Sequence, residues 1–130
     1  VARHLLGKIN HITESRVAHA EYFDKELRSV SQIIIPKRDE DIYQVYHIYS
    51  ICCQRRNELQ NYLIKNGVDA KVHYPIPMHL QPAADYLGHK KGDFPIAETI
   101  AQKTISLPVH EFITRDQQDH VIKLIKAFYA

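Results

Sequence analysis

Counted from Ile9, the apolar or aromatic positions Ile12, Ala20, Phe23 and Leu27 recur at intervals of three and four or their sums. That spacing places them on one face of a 3.6-residue helix and predicts a long amphipathic helix near the start of the chain, assigned to residues 1–29. Arg16 fills the one gap in the stripe. It reads as a stem packed on the core with its head paired or snorkelling, with a ligand-binding cation as the alternative. The period then shortens. Gln32 to Pro36 is a short β-branched run and Lys37 to Asp41 a charged loop. Val45-Tyr46-His47-Ile48-Tyr49-Ser50-Ile51-Cys52 is dense in β-branched and aromatic residues and predicts a central strand.

Beyond that run, Leu59, Tyr62 and Leu63 share one face of a helix over Asn57 to Asn66, and Gly67 stands where a left-handed cap ends it. Val68 to Tyr74 predicts a further strand, stopped by Pro75-Ile76-Pro77, whose prolines lack ladder donors. Asp93 before Phe94-Pro95 resembles a helix start, with Ile96, Ala97, Ile100 and Ala101 as the apolar face. Thr104-Ile105-Ser106-Leu107 predicts a strand ending at Pro108. Thr114 to Gln117 has the spacing of a capping box, and Val121, Leu124, Ile125 and Phe128 form the stripe of a last helix. Interleaved helices and strands with short connections predict an α+β two-layer domain. Its small, mostly antiparallel sheet of three to four strands is covered on one side by helices. Neither a repeat nor an internal linker divides residues 1–130, which read as one domain.

Composition narrows the function classes. At 130 residues, 45% hydrophobic and 25% charged, the chain is a folded domain and not a disordered or low-complexity one. The net charge is +2 and opposite signs alternate, so nothing suits a nucleic-acid backbone. The apolar runs fall short of the roughly 18 residues that cross a bilayer, and no secretory leader pattern opens the chain. Cys52 and Cys53 are adjacent in an apolar run, where a strand points them to opposite faces and a disulfide would be strained. A reduced, cytoplasmic setting follows. Met78 is the only methionine and the chain begins Val1-Ala2-Arg3, which fits either removal of an initiator or excision from a longer protein.

Candidate chemistry concentrates in His73-Tyr74-Pro75-Ile76-Pro77-Met78-His79-Leu80-Gln81-Pro82. The prolines stiffen a loop at a strand end, and the histidines, tyrosine and glutamine supply donors and acceptors on that frame. A stiff loop loses less entropy when it closes on a ligand. A metal site on His47, His73 and His79 matches no familiar zinc spacing. A Cys52 or Cys53 nucleophile would sit in a buried strand, where thiols are inert. For any one histidine alone the plain alternative is structural, with His47 a core residue bonded to backbone and the loop histidines capping a turn. Gly7, Gly67, Gly88 and Gly92 form no phosphate-cradling loop, and no lysine has a recognisable Schiff-base context.

At this loop the sequence resembles a known family. His73-Tyr74-Pro-Ile-Pro-Met-His79-Leu-Gln81-Pro82-Ala83, then Gly92-Asp93-Phe94-Pro95, Ala97-Glu98 and Ser106-Leu107-Pro108, is similar to the C-terminal part of the DegT/DnrJ/EryC1/StrS aminotransferases. These are pyridoxal phosphate (PLP)-dependent sugar aminotransferases of fold type I. Val45 to Tyr49, Arg56-Asn57-Glu58-Leu59 through Gly67-Val68, and Thr114 to Phe128 extend the likeness over nearly the whole chain. The resemblance implies a small C-terminal domain whose first helix, residues 1–29, would connect to a large PLP-binding domain. It implies that His73, Tyr74 and His79, with Gln81 as a further candidate, lie on the substrate side, near a keto-sugar and its nucleotide phosphates. It also implies glutamate as amino donor and a homodimer in the parent enzyme. The Schiff-base lysine and the cofactor-binding groups of the family have no match here, so no catalytic residue is assigned and the chain alone is expected to be inactive. A standalone, non-catalytic interaction module derived from this family is the rival reading, and the pathway stays open between polysaccharide and antibiotic-sugar synthesis.

Overall fold

The computed structural model describes residues 2–130. The predicted first helix is present in two pieces, α1 (Ala2–Leu6) and α2 (Ile9–Leu27), parted at Gly7-Lys8; glycine is the weakest ordinary helix former, which places the break there. Val1 lies outside the described residues. Ala20, Phe23 and Leu27 of α2 are fully buried, as their spacing requires.

Three antiparallel strands form the sheet, β1 (Ile33–Ile34), β2 (Tyr49–Cys53) and β3 (Thr104–Leu107), with β2 in the centre. Tyr49 pairs with Leu107, Ser50 with Ser106, Ile51 with Ile105 and Cys52 with Thr104. Because side chains alternate across a sheet, Tyr49, Ile51, Cys53, Ile105 and Leu107 share one face. That face joins the core formed by α2, by Leu59 and Leu63 of α3 (Arg56–Lys65), and by Val121, Ile122 and Ile125 of α5 (Arg115–Tyr129). The opposite face carries Ser50, Cys52, Thr104 and Ser106. It is polar, and it is the face that receives the candidate loop.

The predicted central strand is shorter than its sequence suggested, beginning at Tyr49 instead of Val45. Tyr46 adopts φ 48°, a left-handed conformation that costs an L-residue about 1–2 kcal/mol. Burial of its ring and the Arg38 guanidinium 5.2 Å above it offset that cost. Nη1 of Arg16 also donates to the carbonyls of Tyr46 and His47, both at 3.2 Å. Arg16 is thus a paired structural cation, as its first reading held. His47 is exposed, not a core residue, and its carbonyl rather than its ring is engaged.

The strand expected over Val68 to Tyr74 reduces to a single antiparallel bridge between Lys71 and Ser106. The Ala70 N–H donates to the Val68 carbonyl at 2.9 Å, a tight local turn that kinks the segment before a ladder can extend. The helix ends follow the sequence more closely. Gly67 caps α3 with φ 82°, and the capping box of α5 is closed by Thr114 N–H to Gln117 Oε1 at 2.9 Å and Gln117 N–H to Thr114 Oγ1 at 3.3 Å.

Helix α4 (Pro95–Lys103) also corrects an expectation. Of its predicted apolar face only Ala101 is buried; Ile96 is 76% and Ile100 50% exposed, and Ala97 also faces out. The inward position belongs to Glu98, 8% exposed.

Candidate functional site

The loop from His73 to Pro82 is tied to the polar sheet face at its start. The Lys71–Ser106 bridge fixes the backbone, and His73 Nδ1 lies 3.0 Å from Ser106 Oγ, itself 2.9 Å from Ser50 Oγ across the β2–β3 ladder. Tyr74, 70% exposed, sets its ring edge-on to His73 at 5.7 Å. Pro77 then enters a 3₁₀ turn, Met78–Leu80, in which the Leu80 N–H donates to the Pro77 carbonyl at 3.0 Å. A second 3₁₀ segment, Pro82–Leu87, follows, and the Gln81 amide between them donates to the Ile76 carbonyl at 3.3 Å. The prolines hold φ fixed at both turns, so the loop is braced locally as well as docked.

His79 enters a denser cluster. Its side chain is 9% exposed, and Nε2 lies 3.1 Å from Glu98 Oε1 on the first turn of α4. The same oxygen accepts the Gly92 N–H at 2.7 Å. Gly92 has φ 100°, a conformation that suits glycine, and so presents its N–H to the carboxylate. The Phe94 ring lies between two imidazoles, 4.8 Å from His79 and 5.0 Å from His89. Asp93 closes the turn, accepting the Lys90 N–H at 2.9 Å and facing His89 Nδ1 at 3.4 Å. Both carboxyls are held below their ordinary range. For Glu98 the Gly92 N–H is the main cause, opposed by burial and aided by His79; for Asp93 the Lys90 N–H leads and His89 assists.

Two of the four predicted site residues line a common cavity. His79 and Gln81 border a cavity of about 440 Å³ together with Met78, Tyr86, His89 and Phe94. His73 and Tyr74 sit on the strand side of the loop and do not border it. Glu98, His89 and Phe94 were missed as site residues, since an acid in the first turn of a helix ordinarily reads as a solvated partner of the dipole. A larger concavity than this one, about 770 Å³, lies between α2 and the loop through Arg38 and Tyr46. It carries charges of both signs, and Arg38 and Asp24 there are engaged with each other.

Among the described residues no group of three or more His, Cys, Asp and Glu is placed to hold a metal. Burial pushes the thiols of Cys52 and Cys53 up, away from the thiolate. Every lysine is exposed except Lys126, which is half-buried and paired with Glu26 at 3.0 Å. A Schiff-base lysine needs a desolvated or cation-flanked pocket. These residues therefore do not by themselves fit a covalently held PLP.

Comparison with known proteins gives a consistent result. The model of the DegT/DnrJ/EryC1/StrS aminotransferase family matches residues 1–126. The chain is 37% identical to a "Pleiotropic regulatory protein" of Geobacillus stearothermophilus, over 90% of the chain and 32% of that protein. It is 31% identical to dTDP-3-amino-3,4,6-trideoxy-alpha-D-glucose transaminase of Streptomyces venezuelae, over 97% of the chain and 33% of the relative. The fold superposes on the crystal structure of S. venezuelae DesV in complex with a ketimine intermediate with a TM-score of 0.93 at 30% identity, covering 98% of this chain and 34% of that one. The chain spans about a third of the length of the relatives it matches.

Proposed function

Because the chain belongs to the DegT/DnrJ/EryC1/StrS aminotransferase family, we propose that it is the C-terminal domain of a PLP-dependent nucleotide-sugar aminotransferase that works in the cytoplasm. In this reading it contributes substrate-side residues to a parent that is a homodimer and draws its amino group from glutamate. The observation that carries the proposal is the likeness to DesV over nearly the full chain, joined to a braced loop that presents His79 and Gln81 to one cavity. PLP would be held by a preceding large domain, because the lysines here are exposed or ion-paired. His73 and Tyr74, on the strand side of the loop, and His79 and Gln81, at the cavity, would contact a nucleotide-linked keto-sugar.

A second reading has one observation in its favour, the regulatory name of the 37% identical relative. It makes the chain a standalone interaction module. The intact mass of the native protein from its source cells separates the two. A mass near 15.1 kDa would favour the module, and a mass about three times larger, as a preceding catalytic domain of ordinary size requires, favours the aminotransferase. In that larger protein His79→Ala should raise KM for the keto-sugar while leaving PLP absorbance in place. Loss of PLP with unchanged sugar affinity would refute the substrate-side assignment.

A further inference from the structure

A carboxylate accepts hydrogen bonds and donates none. Glu98 is ionised at neutral pH, since its carboxyl lies below the ordinary 4.5, chiefly because the Gly92 N–H donates to it. The 3.1 Å contact between Glu98 Oε1 and His79 Nε2 therefore requires a proton on Nε2 whether the imidazole is neutral or charged. In the neutral ring the proton is then absent from Nδ1, which keeps a lone pair. Nδ1 of His79 has no hydrogen-bond partner among the described residues, while the Phe94 ring at 4.8 Å limits rotation of the imidazole. His73 differs. Its partner is a hydroxyl, Ser106 Oγ at 3.0 Å, which can donate or accept and so does not fix a tautomer.

We propose that Glu98 is the positioning residue of this site, locking His79 as the Nε2–H tautomer so that Nδ1 offers a lone pair to a donor group on the ligand, a sugar hydroxyl. The ligand half of this inference rests on the substrate-side reading above. It also gives the position a chemical preference: a hydroxyl can donate to the lone pair of a neutral imidazole, and an ionised phosphate cannot. Glu98 would act through His79 and touch no substrate itself, in the manner of the carboxylates that orient histidines at other sites.

Long-range proton–nitrogen correlation spectra of the 130-residue chain, recorded at alkaline pH where the imidazoles are neutral, read the tautomer directly. The expected wild-type spectrum shows His79 in the Nε2–H form. E98Q keeps an acceptor oxygen within reach of both Gly92 and His79 and should keep that form; E98A removes the acceptor and should give a mixture. Should E98A fail to fold, E98D, which withdraws the carboxylate by one methylene, takes its place with the same expected mixture. A wild-type Nδ1–H form, or an undiminished Nε2–H form in E98A or E98D, overturns the positioning role and leaves the aminotransferase reading standing. Adding dTDP-glucose to the full-length protein should shift the Nδ1 resonance of His79. No shift, with the Nε2–H form intact, overturns the ligand half together with the substrate-side reading.

Discussion

The Tyr49 hydroxyl donates to Asp24 Oδ1 at 2.7 Å, and the same carboxylate receives Arg38 Nε and Nη2 at 2.9 and 3.1 Å. A fully buried tyrosine of the central strand is thereby joined to the last turns of α2 and to the charged loop beyond β1. Tyr49→Phe leaves the packing of the ring with Phe23, 5.2 Å away, and removes one hydrogen bond to a charged acceptor. The expected loss of stability is about 1.5–3 kcal/mol, read by urea unfolding. A loss below a few tenths would mean that water replaces the hydroxyl at Asp24.

The same residue sets an alkaline limit. Burial first, and the Asp24 hydrogen bond second, raise the Tyr49 phenol well above its ordinary 10.0. The unfolded chain releases this proton near its ordinary value while the folded chain retains it. The stabilising contribution is therefore whole below pH 10 and erodes as pH rises above it. Unfolding midpoints should fall more steeply above pH 10 in the wild type than in Tyr49→Phe, and parallel curves would contradict the assignment.

A pair on the helical side predicts an acid limit. Gln118 of α5, fully buried, faces His19 Nδ1 with its Oε1 at 3.0 Å and donates from Nε2 to the His19 carbonyl at 3.1 Å. Burial lowers the His19 pKa from its ordinary 6.5, more than the Gln118 hydrogen bond raises it. The unfolded chain thus gains a proton first, and stability present above pH 6.5 is lost as pH falls through the folded value. Gln118→Ala leaves His19 Nδ1 without its partner and removes the second hydrogen bond to the His19 carbonyl in the α2–α5 contact, and should cost about 1–3 kcal/mol at neutral pH, measured by thermal and urea unfolding. A neutral effect would show that the contact is wet.

Local rules were legible wherever one element decides its own fate. The stripe of α2, the Gly67 cap and the Thr114–Gln117 box are all set by residues within one helix. The failures lie where tertiary partners overrule a local pattern. Val45 to Ile48 has strand composition, yet Arg16, from α2, holds the carbonyls of Tyr46 and His47 in a left-handed turn. The cluster of His73, Tyr74, His79 and Gln81 could be singled out from composition, but its division between the sheet face and the cavity could not. Glu98 was hidden because nothing in the spacing of α4 says that its polar side would turn inward onto His79 and Gly92.

The capping box offers a more local test. Thr114 Oγ1 accepts the Gln117 N–H and so satisfies one of the unpaired donors at the start of α5. Thr114→Ala should lower stability by about 1 kcal/mol in urea unfolding, whereas Thr114→Ser should retain most of it. Equal losses in the two variants would assign the effect to the threonine methyl instead of the cap.

Helix α4 turns its isoleucines outward, with Ile96 76% and Ile100 50% exposed, and Phe94 before it 44% exposed. The two isoleucines contribute little to the fold of the chain by itself, because they remain in contact with water. Contiguous apolar surface of this kind promotes association, and in the proposed parent protein the preceding domain would cover it. Ile96→Lys should therefore change the unfolding free energy by no more than about 0.5 kcal/mol while lowering self-association in sedimentation experiments at high concentration. The inward neighbour behaves oppositely: Ala101, 4% exposed, has no room to grow, and Ala101→Leu should cost about 1–3 kcal/mol by overpacking. If Ile96→Lys proved the more destabilising of the two, α4 would have to be rotated about its axis, with its isoleucines inside. Glu98 would then leave His79, so the same pair of variants also tests the geometry on which the histidine tautomer depends.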